Sequence, residues 1–346
     1  MKRVMVARFS ALGDVAMVIP VLYSAARCYP DVTFYFITRP PLTALFINHP
    51  DNLIPIGVDL KKKYKGVTAM WHLFNDLYKE YRFDAFVDLH DVIRTKLFRF
   101  FCRLRGIPVR IINKGRSGKR ALTRKRNKIM LPMITSRARY REVFYSFGLP
   151  LEPRFDGLFG KGSAPQQMLP DFIEPLTEGV RRIAIAPFAA HRGKIYPPEL
   201  MEKVVASLSA DPRNRLIFFG GGAEEEAILN NWTERYPGCI SLAGRKSGFP
   251  TELAIMSHCD VMISMDSGNM HLASLVNLPV VSVWGATHPF CGFIGWHQEE
   301  RNTVQLPLTC RPCSVFGDKP CYRGDYLCLN GITPQMILEK VNALLG

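Results

Sequence analysis

Apolar and polar positions alternate in blocks along the chain, and the blocks read as strands followed by helices. Lys2 to Phe9 is a short apolar and β-branched run, the loop Ser10 to Asp14 follows, and Val15 to Arg27 reads as a helix. After the turn Tyr29-Pro30-Asp31 the pattern predicts a strand over Val32 to Thr38, a helix over Val67 to Tyr81 and a strand over Phe83 to Leu89. A further strand is predicted over Val109 to Asn113 and a helix over Ser136 to Phe147. Periodicity lapses between Glu152 and Glu178, where Pro, Gly and Gln are frequent, and this segment reads as a linker. Beyond it the alternation restarts, with strands at Arg182 to Pro187, Arg215 to Phe219, Cys239 to Leu242, Asp260 to Ser264 and Pro279 to Trp284. Helices near Glu199 to Ala210, Glu224 to Arg235, Thr251 to His258 and Met270 to Val276 separate them. Strands alternating with helices predict parallel sheets covered on both faces. Two such arrays on a chain of 346 residues predict two α/β domains, 1–160 and 161–346, with a cleft between them. Ligands of such sheets bind beyond the carboxyl ends of the strands, so the strand-to-helix loops are where chemistry is expected.

Composition narrows the class. Hydrophobic residues make up 47% and charged residues 22%, which excludes a disordered or low-complexity chain. The apolar stretch Val15 to Tyr23 is interrupted by Pro20 and is shorter than the ~20 residues of a membrane helix. Arg8 and Asp14 break any signal-peptide pattern after Lys2 and Arg3, so a cytoplasmic location is expected.

The formal charge of +15 is unevenly placed. Arg94 to Arg141 holds 17 Lys or Arg in 48 residues with no Asp or Glu, whereas the remainder carries 28 basic against 30 acidic. Such a stretch would attract nucleic acid, an anionic membrane surface or a phosphorylated glycolipid; the alternative is a solvated basic face. Five of the nine cysteines are scattered and read as small core residues. The other four, Cys310, Cys313, Cys321 and Cys328, suit a structural zinc, disulfides, or reduced thiols packing an irregular loop.

Four loops carry candidate chemistry. RFSALGD, Arg8 to Asp14, follows a strand but lacks G-x-G-x-x-G, which disfavours a nicotinamide dehydrogenase. Asp14 is placed either to accept a proton from an incoming hydroxyl or to cap the following helix. SMDSGNMHLAS, Ser264 to Ser274, runs from a strand into a helix; Ser267 and Gly268 let backbone amides approach a phosphate, and Asp266 suits sugar hydroxyls. The alternative, an Asp-Ser N-cap before a glycine turn, gives no reason for His271 or for the turn Gly285-Ala286-Thr287. In FAAHRGKIYPPE, Phe188 to Glu199, Lys194 offers a point charge for a diphosphate or is an ordinary loop lysine. In GGGAEEEA, Gly220 to Ala227, an acid opening the helix can accept from ribose hydroxyls, or Glu224, Glu225 and Glu226 oppose the helix dipole.

Together these segments resemble glycosyltransferase family 9, the ADP-heptose:lipopolysaccharide heptosyltransferases. The resemblance rests on SALGD at Ser10 to Asp14, YRFDAFVDLHDVIRTK at Tyr81 to Lys96, the Lys194 loop, GGGAEEE, SLAGRKSGFPTELA at Ser241 to Ala254 and DSGNMHLASLVNLPVVSVWGATHP at Asp266 to Pro289. It departs at His90-Asp91, where relatives often carry Gln-Gly, and at Tyr196-Pro197-Pro198-Glu199, where they carry Trp-Pro-Glu. It implies a GT-B fold of two Rossmann-like domains facing across a cleft, and an inverting, metal-independent transferase needing no cofactor. Asp14 would then be the general base and Lys194 would stabilise the leaving diphosphate. Donor contacts are implied at Ser10, Gly13, Gly221, Glu224, Glu225, Asp266, Ser267, Gly268, Asn269, His271 and Thr287. Acceptor contacts are implied at Asp88, His90, Arg94, Arg120 and Arg124. The partners implied are a nucleotide-sugar donor and an anionic glycolipid at the cytoplasmic face of the inner membrane. A nucleic-acid-binding protein using residues 94–141 is the alternative; it would leave the anion-binding loops unexplained, so no nucleic acid is expected.

Overall fold

Buried β-branched and aromatic runs joined through helices leave parallel pairing as the way to satisfy the backbone, and a computed structural model shows two parallel sheets. It describes residues 1–66, 68–175 and 177–346. The chain forms two units, the first comprising residues 1–114 and 134–158 and the second residues 115–133 and 159–346.

Unit 1 is built on β1 (Arg3–Ala7), α1 (Leu12–Cys28), β2 (Thr33–Thr38), α2 (Pro40–Thr43), β3 (Leu53–Gly57), α3 (Ala69–Tyr81), β4 (Ala85–Asp88), α4 (Ile93–Leu104) and β5 (Val109–Ile111). The expected helix start at Val67 lies outside the described residues. Its strand order is β3-β2-β1-β4-β5, with Ala7 paired to both Ile37 and Asp88. One face buries Phe74, Phe83, Phe86 and Phe98 as a cluster of ring contacts, 4.7 Å between the Phe86 and Phe98 centroids. Helix α1 is buried along nearly its whole length despite Pro20, whose missing N–H is accompanied by a Ser24 hydroxyl donating to the Pro20 carbonyl at 2.7 Å.

Unit 2 contains α5 (Arg116–Thr123), while α6 (Ser136–Tyr145) returns to unit 1. It continues with β6 (Arg181–Ala186), α7 (Pro198–Ser209), β7 (Asn214–Phe218), α8 (Ala223–Arg235), β8 (Cys239–Ser241), α9 (Gly248–Ser257), β9 (Val261–Met265), α10 (Gly268–Leu275), β10 (Val280–Val283), β11 (Thr303–Val304), α11 (Leu327–Asn330) and α12 (Pro334–Leu345). The strand order is β11-β10-β9-β6-β7-β8, all parallel.

The basic stretch does not stay with the first domain, as the sequence reading had it. Residues 115–133 belong to unit 2. Lys128 Nζ donates to the Cys310 carbonyl at 2.8 Å and to that of Pro312, and Met133 N donates to Phe290 O at 3.0 Å. Lys119 sits 4.8 Å over the Phe293 ring and Lys125 5.1 Å over that of Tyr322. Arg120 and Arg124 are therefore exposed residues of unit 2. Among the described residues no helix is long and apolar enough to cross a membrane.

Candidate functional site

Each sheet reverses its strand order once, in unit 1 between β1 and β4 and in unit 2 between β6 and β9. Asp14 and His90 follow β1 and β4, and Lys194 and Asp266 follow β6 and β9, at these two points, where adjoining crossovers leave in opposite directions and open a crevice beyond the strand ends.

In unit 1, β1 ends and α1 begins within four residues. Asp14 lies inside the first turn of α1, not in the loop before it. Its Oδ2 accepts from Ala11 N at 3.2 Å and pairs with Arg8 Nη2 at 2.5 Å, while Oδ1 carries no partner among the described residues. Arg8 is buried and donates its other terminus to Leu89 O at 2.7 Å. Burial opposes its charge, but the surrounding Tyr140, Asp14 and Asp88 outweigh that and hold its pKa up. The result is a part-exposed carboxylate with one oxygen fixed and the other free to accept a proton.

His90 flanks this group. Its Nδ1 accepts from Phe9 N at 3.4 Å, and burial, followed by Arg8 and Lys114, pushes its pKa down to about 3. The ring is thus neutral. His288 in unit 2 is similar, its Nδ1 accepting from Phe290 N at 3.1 Å and its pKa lowered to about 4 by burial and Arg311. Both folded values lie below that of a free histidine, so the stability they contribute is complete above pH ~6.5 and is lost as pH falls below it. We expect acid to destabilise the protein progressively below pH ~6.5, His90 contributing up to about 1.4 kcal/mol per pH unit and the half-buried His288 less, because solvent screens it. Urea midpoints at pH 7 and 5 should shift less in a His90→Asn, His288→Asn variant; an unchanged shift would assign the acid sensitivity to other groups.

Asp88 corrects the sequence reading. It is wholly buried at the end of β4, its Oδ1 accepts from His90 N at 2.9 Å and Asp91 N at 2.8 Å, and its Oδ2 pairs with Arg99 at 3.2 Å. It shapes the His90 loop and presents no oxygen to an acceptor. Arg94 is exposed on the first turn of α4.

In unit 2, the turn Arg192–Lys194 follows β6 and Asp266 follows β9. Lys194 Nζ pairs with Asp266 Oδ2 at 2.8 Å, with side-chain exposures of 15% and 4%. Beside them α10 opens at Ser267, whose hydroxyl lies 3.3 Å from Ser264 Oγ and does not cap the helix. Among the described residues nothing caps the amides of Gly268 and Asn269, as in any uncapped first turn. Glu225 Oε2 accepts from Gly221 N at 2.8 Å, which orders the glycine turn, and Glu224 is exposed. His271 is buried in α10. Thr287 is also wholly buried, its carbonyl held by Arg311 Nη2 at 2.8 Å, so its side chain lies beneath the loop and is not presented to a donor. Ser10 and Gly13 lie in unit 1, beside Asp14.

Two features had no sequence signal of their own. Arg311, 3% exposed, donates to the carbonyls of Gly285, Leu306 and Thr287, tying the segment after β10 to the Cys-rich loop. Gly317, at φ 75°, packs on Lys194; a Cβ there would fall 2.6 Å from Lys194 Cγ. The Cys-rich loop is thus a wall of the Lys194 site. Among the described residues no three His, Cys, Asp or Glu side chains of that loop converge on a metal position. Cys313 Sγ turns to Ala286 O at 3.8 Å, Cys321 Sγ to Asp325 at 3.9 Å, and Cys328 packs into the core; all nine cysteines are free thiols.

A sequence model of glycosyltransferase family 9 (heptosyltransferase) matches residues 71–320. Lipooligosaccharide heptosyltransferase 2 of Campylobacter jejuni is 24% identical over 342 residues, covering 96% of this chain and 95% of that protein. A glycosyltransferase of family 9 from Veillonella parvula has the same fold, with a TM-score of 0.74 at 18% identity over 99% of this chain and 97% of that one. So does an E. coli heptosyltransferase solved with ADP-2-deoxy-2-fluoro heptose, with a TM-score of 0.67 at 16% identity over 99% of both chains. The two parallel sheets are those of the GT-B class.

Proposed function

The chain belongs to glycosyltransferase family 9, the heptosyltransferases, and on that premise we propose that it moves a heptose from ADP-heptose to an anionic lipopolysaccharide-core glycolipid with inversion at the anomeric carbon. Asp14 deprotonates the acceptor hydroxyl through its free Oδ1, while Arg8 and the Ala11 amide hold Oδ2. As the donor bond breaks, negative charge grows on the departing diphosphate, and Lys194 with the α10 amides meets it. Asp266 orients Lys194 and contacts the donor sugar, Ser267, Gly268 and Asn269 face the diphosphate, and Glu225 reaches the ribose. The uncapped first turn of α10 beside a paired lysine carries this reading, because it supplies both fixed dipoles and a cation where other transferases place a divalent ion.

Heptose as the sugar and ADP as its carrier rest on the E. coli relative solved with an ADP-heptose analogue. His90, Arg94, Arg120 and Arg124 are assigned to the acceptor, and the protein works at the cytoplasmic face of the membrane that holds it. Thermal stabilisation by a panel of nucleotide sugars, with and without EDTA, tests the donor assignment. ADP-heptose at 100 times its dissociation constant should stabilise the protein by about 2.7 kcal/mol in the presence of EDTA. Stabilisation by a different nucleotide sugar would reassign the donor, and a requirement for divalent ion would remove Lys194 and α10 as the diphosphate site.

A further inference from the structure

Helix α4 turns the wrong side outward for a globular surface. Thr95, Phe98, Arg99 and Cys102 form its inner face, with Phe98 and Cys102 in the core and Arg99 paired to Asp88. On the opposite side, at spacings of four, three and four, lie Ile93, Leu97, Phe100 and Leu104, of which Leu97 packs partly against the core. Ile93, Phe100 and Leu104 are 73%, 54% and 66% exposed. At 100° per residue these four fall within one narrow stripe, flanked by Lys96 and Arg103 on one side and Arg94 on the other, all exposed, with no acid anywhere in the helix. Trp71 of α3, 42% exposed, stands against Phe101 of α4 with ring centroids 5.0 Å apart.

We propose that this stripe is a membrane-interface anchor that lays α4 on an anionic lipid surface, with Ile93, Phe100 and Leu104 entering the acyl boundary and Lys96 and Arg103 meeting the headgroups. An apolar stripe edged by lysine and arginine stems matches an interface whose outer layer is negative and whose inner layer is hydrocarbon. Charge complementarity selects the occupant. A two-fold contact between copies of this chain would set Lys96 and Arg103 against their own kind, whereas phosphate headgroups neutralise them. Trp71 stands beside the stripe with its ring part-exposed, the placement in which indoles gather at headgroup depth. The inference rests on the reading above that the acceptor is carried in a membrane, and it names the surface that brings unit 1 to it.

The test is partitioning of the full chain onto vesicles of phosphatidylcholine mixed with phosphatidylglycerol, which contain no sugar acceptor, against vesicles of phosphatidylcholine alone. The mixed vesicles should bind the protein, and brominated acyl chains should quench an emission component that disappears in Trp71→Phe. Phe100→Ser with Leu104→Ser should lower partitioning about tenfold or more at both low and high salt. Lys96→Ser with Arg103→Ser should lower it by up to about thirtyfold at low salt, with the loss shrinking as salt rises. Circular dichroism and the ADP-heptose-induced rise in melting temperature, read on the same variants, check folding and the donor site. A retained rise with lost partitioning supports the anchor; absence of that rise in the unmodified protein would sink the functional reading and leave the anchor standing. Three results would overturn the anchor: no binding to anionic vesicles, binding unchanged by the Phe100 and Leu104 replacements, or a dimer in sedimentation that those replacements dissolve while vesicles go unbound.

Discussion

Asp14→Asn is expected to lower turnover by about a thousandfold while changing donor affinity by no more than about twofold, because a general base typically contributes 10²–10⁴ and acts only on the acceptor proton. The geometry makes the substitution informative. The amide can keep an oxygen toward Arg8 and Ala11 N, so the loop that positions it is preserved as far as the loss of one charge allows. It cannot accept a proton. Arg8 keeps its bond to Leu89 O, and urea unfolding of the variant should show a loss of no more than about 1–3 kcal/mol. Single-turnover transfer and titration with the donor separate the two effects. Turnover within about threefold of the unmodified enzyme would leave Asp14 as a first-turn residue opposing the helix dipole.

Lys194→Ala should affect both binding and chemistry. Its ammonium meets the diphosphate in the bound donor and meets more charge as the sugar departs, so donor affinity should fall about tenfold to a hundredfold and turnover by a further factor of similar size. The substitution also strands Asp266, which is 4% exposed and then faces the diphosphate without its cation. A second variant separates these contributions. Lys194→Ala combined with Asp266→Asn should recover the folding stability lost in the single variant, since no unpaired buried charge remains, yet should not recover turnover. Recovery of turnover would show that Lys194 serves only to neutralise Asp266.

Much of the fold was legible because the alternation of strand and helix survives in the pattern of apolar residues. The strands β1, β2, β4, β6, β7, β9 and β10 all lie within two residues of their predicted bounds. The missed elements have separate causes. β3 is a five-residue strand with Pro55 in it, part-exposed along three positions, and reads as loop. α4 went unread because Arg94, Lys96, Arg99 and Arg103 are interleaved with its apolar residues, so the segment reads as part of a charge run; the apolar stripe that it turns outward makes it a candidate anchor. α12 begins at a Pro after Thr333, whose hydroxyl accepts from Met336 N at 3.4 Å; this is an N-cap whose significance depends on a helix the pattern had not yet suggested.

The site was legible where loop position alone assigns a role. Lys194 and Asp266 were singled out separately as following two different strands, and the structure joins them in one ion pair across the reversal between β6 and β9. Burial was not legible. Asp88 and Thr287 sit in the same loops as their neighbours by sequence, yet their side chains point into the protein. Nor was the arginine scaffold: Arg8, Arg99 and Arg311 look in sequence like any other cations of a basic chain, but each is buried and holds backbone or carboxylate oxygens that shape a loop. The migration of residues 115–133 into unit 2 depends on bonds to residues more than 150 positions away, such as Lys128 to Cys310. No local pattern encodes those.

Asp14 and the Lys194–α10 site are proposed to transfer heptose from ADP-heptose without a divalent ion. Mass spectrometry of a purified lipopolysaccharide-core glycolipid incubated with ADP-heptose and this protein in EDTA tests it directly. One added heptose per acceptor is expected, formed at the same rate with or without EDTA and about a thousandfold more slowly when Asp14 is replaced by Asn. An unmodified acceptor in the presence of bound donor, or transfer only after a divalent metal is restored, would contradict it.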